Sequence, residues 1–154
     1  MIEFKYNSPV FKLGKISRSE WRELGMSARS EIVKRTRSGI DINHQPFHEY
    51  SAATQEYKSG IMQTRGLGSS VVTLQDTGQM HRSRSVEVQA NAAILYYADQ
   101  NRAKIALKHQ TGDNRLPKRE HFGFNKTDGN KYLEKIAKLQ TVKTRRQIDD
   151  KSNN

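Results

Sequence analysis

Residues 109–124 read HQTGDNRLPKREHFGF. A turn-like TGDN is followed by Pro117, then by three consecutive charges, Lys118, Arg119 and Glu120, and then by Phe122-Gly123-Phe124. A proline fixes its own φ and pushes its neighbour out of the helical region, so Pro117 opens an extended segment. Phe122 and Phe124 alternate about Gly123, the spacing of a half-buried strand. Helical patterns stand on both sides. The segment is therefore a non-helical link between two helices, and it sets the class of the fold.

On its C-terminal side, FNKTDGNKYLEKIAKLQTVKTRRQ is the clearest helix of the chain. Tyr132, Leu133, Ile136 and Ala137 give it an apolar stripe, with lysines opposite. A polar tail is expected over 148–154, ending DDKSNN. On the N-terminal side, DQNRAKIALKHQ predicts a short helix with Ile105, Ala106 and His109 on one side. Before it, VEVQ and AILYY flank ANA as a β-hairpin, with Val86 and Val88 facing one way. DTGQMHRSRS reads as a turn or a single helical turn, and VVTLQ as a short β-rich run. AATQEYKSGIMQ is a weaker helix that Ser51 can cap, and RGLGSS interrupts the chain after it. Further back, Ser17 and Glu20 form a capping-box pattern before Trp21, Leu24, Ala28 and Ile32, which predicts a helix over 18–37 closed by Gly39. Residues 1–16 suggest a strand or arm, with Ile2, Phe4 and Tyr6 alternating. The sum is one α+β domain over 1–147, a small antiparallel sheet bracketed by helices and packed with a long one.

The chain has 154 residues, of which 34% are hydrophobic and 28% charged. That apolar share is low for a globular domain, so the core is modest. With no cysteine there is no disulfide framework, thiolate nucleophile or Cys-ligated metal. No signal peptide or membrane span is expected. The net charge of +11 is uneven: residues 101–154 carry fourteen Lys or Arg against six Asp or Glu, whereas 51–100 carry four against four. A basic C-terminal third suits a negatively charged partner, nucleic acid or acidic protein.

Catalytic signatures are weak. His44 and His48 are four apart, but Pro46 between them breaks the helix that a metal-binding pair needs. Asp149 and Asp150 sit in the expected tail, and Glu120 lies between Arg119 and His121 as a charge partner. RGLGSS lacks the third glycine of a phosphate cradle. His109, on the apolar side of a helix, reads as a packed histidine with a backbone partner rather than a base. Neither an enzyme, a metal nor a cofactor is expected. Lys131, Lys135 and Lys138, with Lys143, Arg145 and Arg146 beyond, form a basic face. Its plain reading is a solvated helix surface, since the interleaved aromatics of a stacking platform are missing.

Three motifs together resemble the virion-morphogenesis, or tail-completion, family of tailed bacteriophages. RTRSGIDINHQPFHEYSAATQEYK, residues 35–58, is similar to a family segment in which G-x-x-F-x-x-Y-S-x-x-T precedes a short helix with Lys. LQDTGQMHRS, residues 74–83, resembles L-x-x-T-G-x-[LM]-x-x-S, and residues 103–139 resemble the I-A-x-x-H-Q-x-G … P-x-R … G block with its closing helix. The match spans about residues 29–139 and reaches Tyr50, Ser51, Thr54, Leu74, Thr77, Gly78, His109, Gln110, Gly112, Pro117, Arg119 and Gly123. The chain departs from the pattern at Thr111, where an aromatic is common, and at Phe122, where a leucine is.

The resemblance implies a structural virion protein without catalysis, one of the α+β ring formers of phage necks and tail ends, in a ring of about six copies. Its implied place is the neck or head-proximal tail end of the virion, reached from the host cytoplasm, where it completes the tail for joining to the head. Implied partners are further copies, neck, connector or tail-tube proteins, and phage DNA through nonspecific phosphate contacts; no membrane is implied. Arg119 would then offer its planar fork to a carboxylate on the same or a neighbouring subunit. The alternative is a small basic nonspecific DNA-binding accessory protein.

Overall fold

The computed structural model describes residues 15–62, 71–113 and 115–152. The expected arm over 1–16, except its last two residues, and the RGLGSS turn lie outside them. The first helix, α1, runs Arg18–Arg37. Ser17 and Glu20 start it as a capping box: the Ser17 hydroxyl accepts from the Glu20 amide at 3.3 Å, and the Ser17 amide donates back to the Glu20 carboxylate at 2.7 Å. Gly39, at φ 75°, ends it in the left-handed region. Ala28 and Ile32 are buried on its inner face.

Two strands, β1 (Arg84–Gln89) and β2 (Ala92–Tyr97), pair antiparallel in the register Val86 to Leu95 and Arg84 to Tyr97. α1 lies against this hairpin at Gly25. A Cβ there would come within 2.5 Å of Val86 Cγ1 and 2.9 Å of Ala93 Cβ, so the helix approaches this closely only because the residue is glycine. α2 (Ala52–Tyr57) is capped by Ser51 and passes into a π-helical turn, Lys58–Met62. α3 (Gln79–Arg82) is one turn, and α4 (Gln100–Thr111) is capped by Asp99. The main core cluster, Phe47, Val72, Leu74, Met80 and Ala106 with Tyr50 and Tyr97 beside it, is formed where α3, α4 and residues 72–75 meet. The architecture is α+β.

The last helix, α5, spans Lys126–Ser152. Tyr132 donates to Glu31 at 2.7 Å, and Lys143 pairs with Glu20. Eleven residues separate the partners on each helix, so α5 lies antiparallel beside α1 for about three turns. By that register α1 begins opposite Arg145.

Five expectations need correction. The polar tail is helical through Ser152, since no Gly or Pro follows Gly129 to stop the helix. VVTLQ is not a strand: Leu74 has φ 51°, which ends extended geometry. Phe122–Phe124 is not a strand either, because Gly123 at φ 119° turns the chain. Phe122 then stacks on Tyr97 and Phe124 on Tyr132, with ring centroids 5.1 and 5.0 Å apart. The stripe of α5 splits: Tyr132 is buried, but Leu133 is 41% exposed, because the side facing α1 is rotated toward Tyr132 and Lys143. Ile105, expected inside with Ala106, is 39% exposed.

Candidate functional site

Residues 109–125 are held by bonds to main-chain groups from four directions. α4 ends at Gly112, φ 72°, where a Cβ would meet the Lys118 amide nitrogen at 2.9 Å. Asp113 accepts from the amides of Arg115 and Leu116 at 2.8 Å each and closes the turn. After the half-buried Pro117, the Arg119 amide donates to His109 O at 2.7 Å. The Gln110 carboxamide accepts from the His121 and Phe122 amides at 3.0 Å each. From α1, Arg35 Nη2 donates to Gly123 O at 2.7 Å.

Arg119 is the centre of this arrangement. Its Nε and Nη2 donate to His48 O and Glu49 O, both at 2.8 Å, and its guanidinium lies 5.3 Å from the Tyr50 ring centroid. The fork therefore clamps the loop before α2 within one chain. The carboxylate partner expected for it is replaced by two carbonyls, because the chain crosses directly in front of the guanidinium.

A second chain of bonds fixes His121. Its Nδ1–H donates to Arg119 O at 3.0 Å, which leaves Nε2 to accept the Tyr97 hydroxyl at 3.1 Å; Arg84 Nε donates to that hydroxyl's oxygen at 3.0 Å. Burial, with Arg84 nearby, pushes the His121 pKa down to about 3. His81 donates to Thr73 O at 3.0 Å and is pushed to about 4, again by burial first and Arg84 second. Both histidines are neutral packing groups. His109 is half-buried and also depressed by burial, but its Nδ1 has no partner, so the expected backbone bond is not made.

Beside the clamp lies a groove of about 250 Å³ between residues 74–80 and α4. Five residues of the resemblance line it: Tyr50, Leu74, Thr77, Gly78 and His109. The Leu74 amide donates to the Tyr50 hydroxyl at 3.1 Å, and Gly78, φ 74°, starts α3. Lys58 and Arg102 bring the cations. Lys58 is only 5% exposed; its ammonium donates to Gln75 O and lies 5.0 Å from the Tyr50 ring centroid. Burial pushes its pKa down, against the opposing pull of Asp76. Arg102 donates to Gln79 Oε1. Ser51 and Thr54 serve as the cap of α2, outside the groove. On the other flank of α4 a more apolar cleft of about 390 Å³ runs along Leu95, Tyr96, Leu107 and Phe122.

The basic face is smaller than expected. Lys143 turns inward to Glu20 and Lys15 O, and Lys131 pairs with the buried Asp128, which also meets His44 Nε2, both at 2.7 Å. Burial pushes the Asp128 carboxyl up, but the hydrogen bonds from Lys131 and His44 outweigh it and hold its pKa below the ordinary value. Lys135, Lys138 and Arg145 are exposed on one side, around a 49%-exposed Val142. Arg146 falls outside the residues whose side chains are described. His44 and His48 do not converge: His44 turns to Asp128 and His48 to Glu49 O. Among the described residues no three metal-ligating side chains converge, and no helix is long and apolar enough to cross a membrane.

Arg102, Arg35, Arg84 and Tyr97 were not foreseen, and Lys58 stood only as the lysine of the short helix in the resemblance, not as a site residue; its i, i+4 spacing puts it on the same helical face as Thr54. No family model, curated protein or solved structure matches the chain.

Proposed function

We propose that this chain is a structural subunit of a tailed-phage virion, acting in tail completion and head–tail joining as part of a ring at the neck or tail end. The observation that carries this is the gathering of the resemblance residues. Spread from Tyr50 to Gly123 in sequence, eight of the twelve meet at α4: five line the groove, and Gln110, Gly112 and Arg119 tie down the segment after it. Such a unit of clamps and caps suits a rigid building block. His81 and His121 are kept neutral by burial and held in hydrogen bonds, and the role we assign is assembly without catalysis.

The surface supports the same role. Met26, Tyr57, Ile105, Leu107, Leu133 and Val142 are large apolar side chains left exposed in one copy. Ile105 and Leu107 stand on α4 between the two concavities, where a neighbouring subunit would bury them. The test is molar mass in solution, by light scattering behind a sizing column. A closed species of about six copies, alone or on addition of tail material, is the expected result; a monomer at all concentrations and with tail material refutes it.

Lys135, Lys138 and Arg145, which face solvent and have no carboxylate partner in an ion pair among the described residues, favour a second reading, a DNA-binding accessory protein. Three phosphate contacts predict a slope of log affinity against log salt of roughly −3 on duplex DNA. A small species that retains DNA with that slope and forms no ring would put this reading first.

A further inference from the structure

α2 buries none of its residues in its own copy. Ser51 caps its start, and Lys58, which ends it, is anchored to Gln75 O. Held at both ends, the helix leaves Ala52, Ala53, Glu56 and Tyr57 exposed, Tyr57 by 44%. A helix of six residues gains little from its own hydrogen bonds and ordinarily depends on packing a face against something else. Ala53 and Tyr57, four apart, share such a face. Glu56 is the one charge within the helix, and it makes no ion pair among the described residues.

The apolar cleft on the other flank of α4 has the complementary character. Arg102, Ile105 and His109 face the groove, whereas Ala103, Lys104 and Leu107 lie on another side of the helix and face the cleft. Tyr96, Tyr97 and Phe122 give the opposite wall its aromatic surface. No lining residue is acidic, and Lys104 is the one charge there. Lys104 is exposed and makes no ion pair among the described residues. The nearest aspartates in sequence, Asp99 and Asp113, accept main-chain amides at the two ends of α4. A tyrosine, apolar in body and polar at its tip, suits an aromatic cleft of this kind. Neighbouring positions on a helix are 100° apart, so one side chain can enter while the next reaches the lysine beside it.

We propose that the cleft receives α2 of a second copy of this chain, with Tyr57 entering between Leu107 and the aromatic wall and Glu56 pairing with Lys104. α2 stands on the groove side of α4, where Lys58 enters the groove lining, and the cleft lies on the other side. Donor and acceptor are therefore different surfaces, the requirement for a head-to-tail contact that closes a ring. This rests on the ring role proposed above and names the contact that builds the ring.

The chain has no cysteine, so disulfide trapping reads the contact directly. One full-length variant carries Ala53→Cys on α2, the other Gln100→Cys in the cleft. They are mixed and mildly oxidised, and the dimers are separated without reductant and identified by mass. The mixed disulfide is expected to exceed either symmetric one by about tenfold, as an effective-concentration advantage. Adding Glu56→Lys to the first variant should return the products to statistical proportions. Adding Lys104→Glu to the second as well should restore the excess, with thermal unfolding checked for each. Statistical proportions in the starting pair, or an excess that Glu56→Lys leaves unchanged, overturn the proposal. If wild-type protein still forms rings by light scattering, only this contact is wrong; if it is monomeric throughout, the ring role falls with it.

Discussion

Replacing Arg119 by Ala should unfold this protein more readily, and the loss can be worked out from its contacts. The guanidinium gives two charge-assisted hydrogen bonds to main-chain carbonyls, each at 2.8 Å, and packs on Tyr50. Such bonds contribute about 1.5–3 kcal/mol apiece, and a partly desolvated cation–π contact about 1 kcal/mol. Returning a buried guanidinium to water offsets part of this, leaving a net loss of about 3 kcal/mol. With a urea slope of about 2 kcal/mol per molar, the midpoint should fall by roughly 1.5 M at unchanged slope. Arg119→Lys keeps the charge but cannot span both carbonyls, so it should lose about 2 kcal/mol. Equilibrium urea unfolding followed by circular dichroism measures both. Ring formation should fail only in proportion to the unfolded fraction. If Arg119→Ala unfolds within about 0.5 kcal/mol of wild type yet forms no ring, the clamp is wrong and Arg119 belongs to an interface.

Acid should weaken the fold before it reaches the ordinary carboxylate range. His81 and His121 are depressed to about 4 and about 3 in the folded chain, so below the unfolded value of about 6.5 the unfolded state binds more protons. Their contribution is fully present above that value and is lost as pH falls toward 4; from pH 7 to 4.5 thermal or urea unfolding should show a loss on the order of 5 kcal/mol. A flat profile over that window would contradict their burial as neutral rings. Gly25→Val should destabilise by about 2–3 kcal/mol through collision with Val86 and Ala93, whereas Gly60→Ala, with nothing near its Cβ, should change unfolding by less than about 1 kcal/mol. Reversing Lys135, Lys138 and Arg145 to Glu should cost less than about 1 kcal/mol of stability, through the Lys135 contact with the Tyr132 ring, and abolish any DNA retention at low salt, read by filter binding.

The helices and the hairpin were legible because local signals set them. The Ser17–Glu20 box, the caps at Ser51 and Asp99, and the alternation around Val86 each act within a few residues. What stayed hidden depended on distant partners. Nothing near Leu74 announces a positive φ; its amide bonds Tyr50, 24 residues away in sequence. Arg119 invited a carboxylate because charge suggests charge, but the folded chain puts two carbonyls in front of it. Of the six expected basic-face residues, Lys131 and Lys143 were claimed by Asp128 and by Glu20, pairings that only the packing of α5 decides. The groove combines residues from four separate stretches, and no spacing rule joins them.

The buried arginines explain how a chain with so little apolar content holds its irregular segments. Arg35, Arg84 and Arg119 are all buried, and none is within ion-pair distance of a carboxylate among the described residues. Arg35 and Arg119 donate to carbonyls and Arg84 to a phenol, and all three stack on aromatic rings. With two strands in its sheet among the described residues, the fold leaves main-chain carbonyls outside a ladder, and guanidinium donors satisfy some of them. A guanidinium remains charged at any working pH, so this solution keeps its cations and adds no acid to balance them.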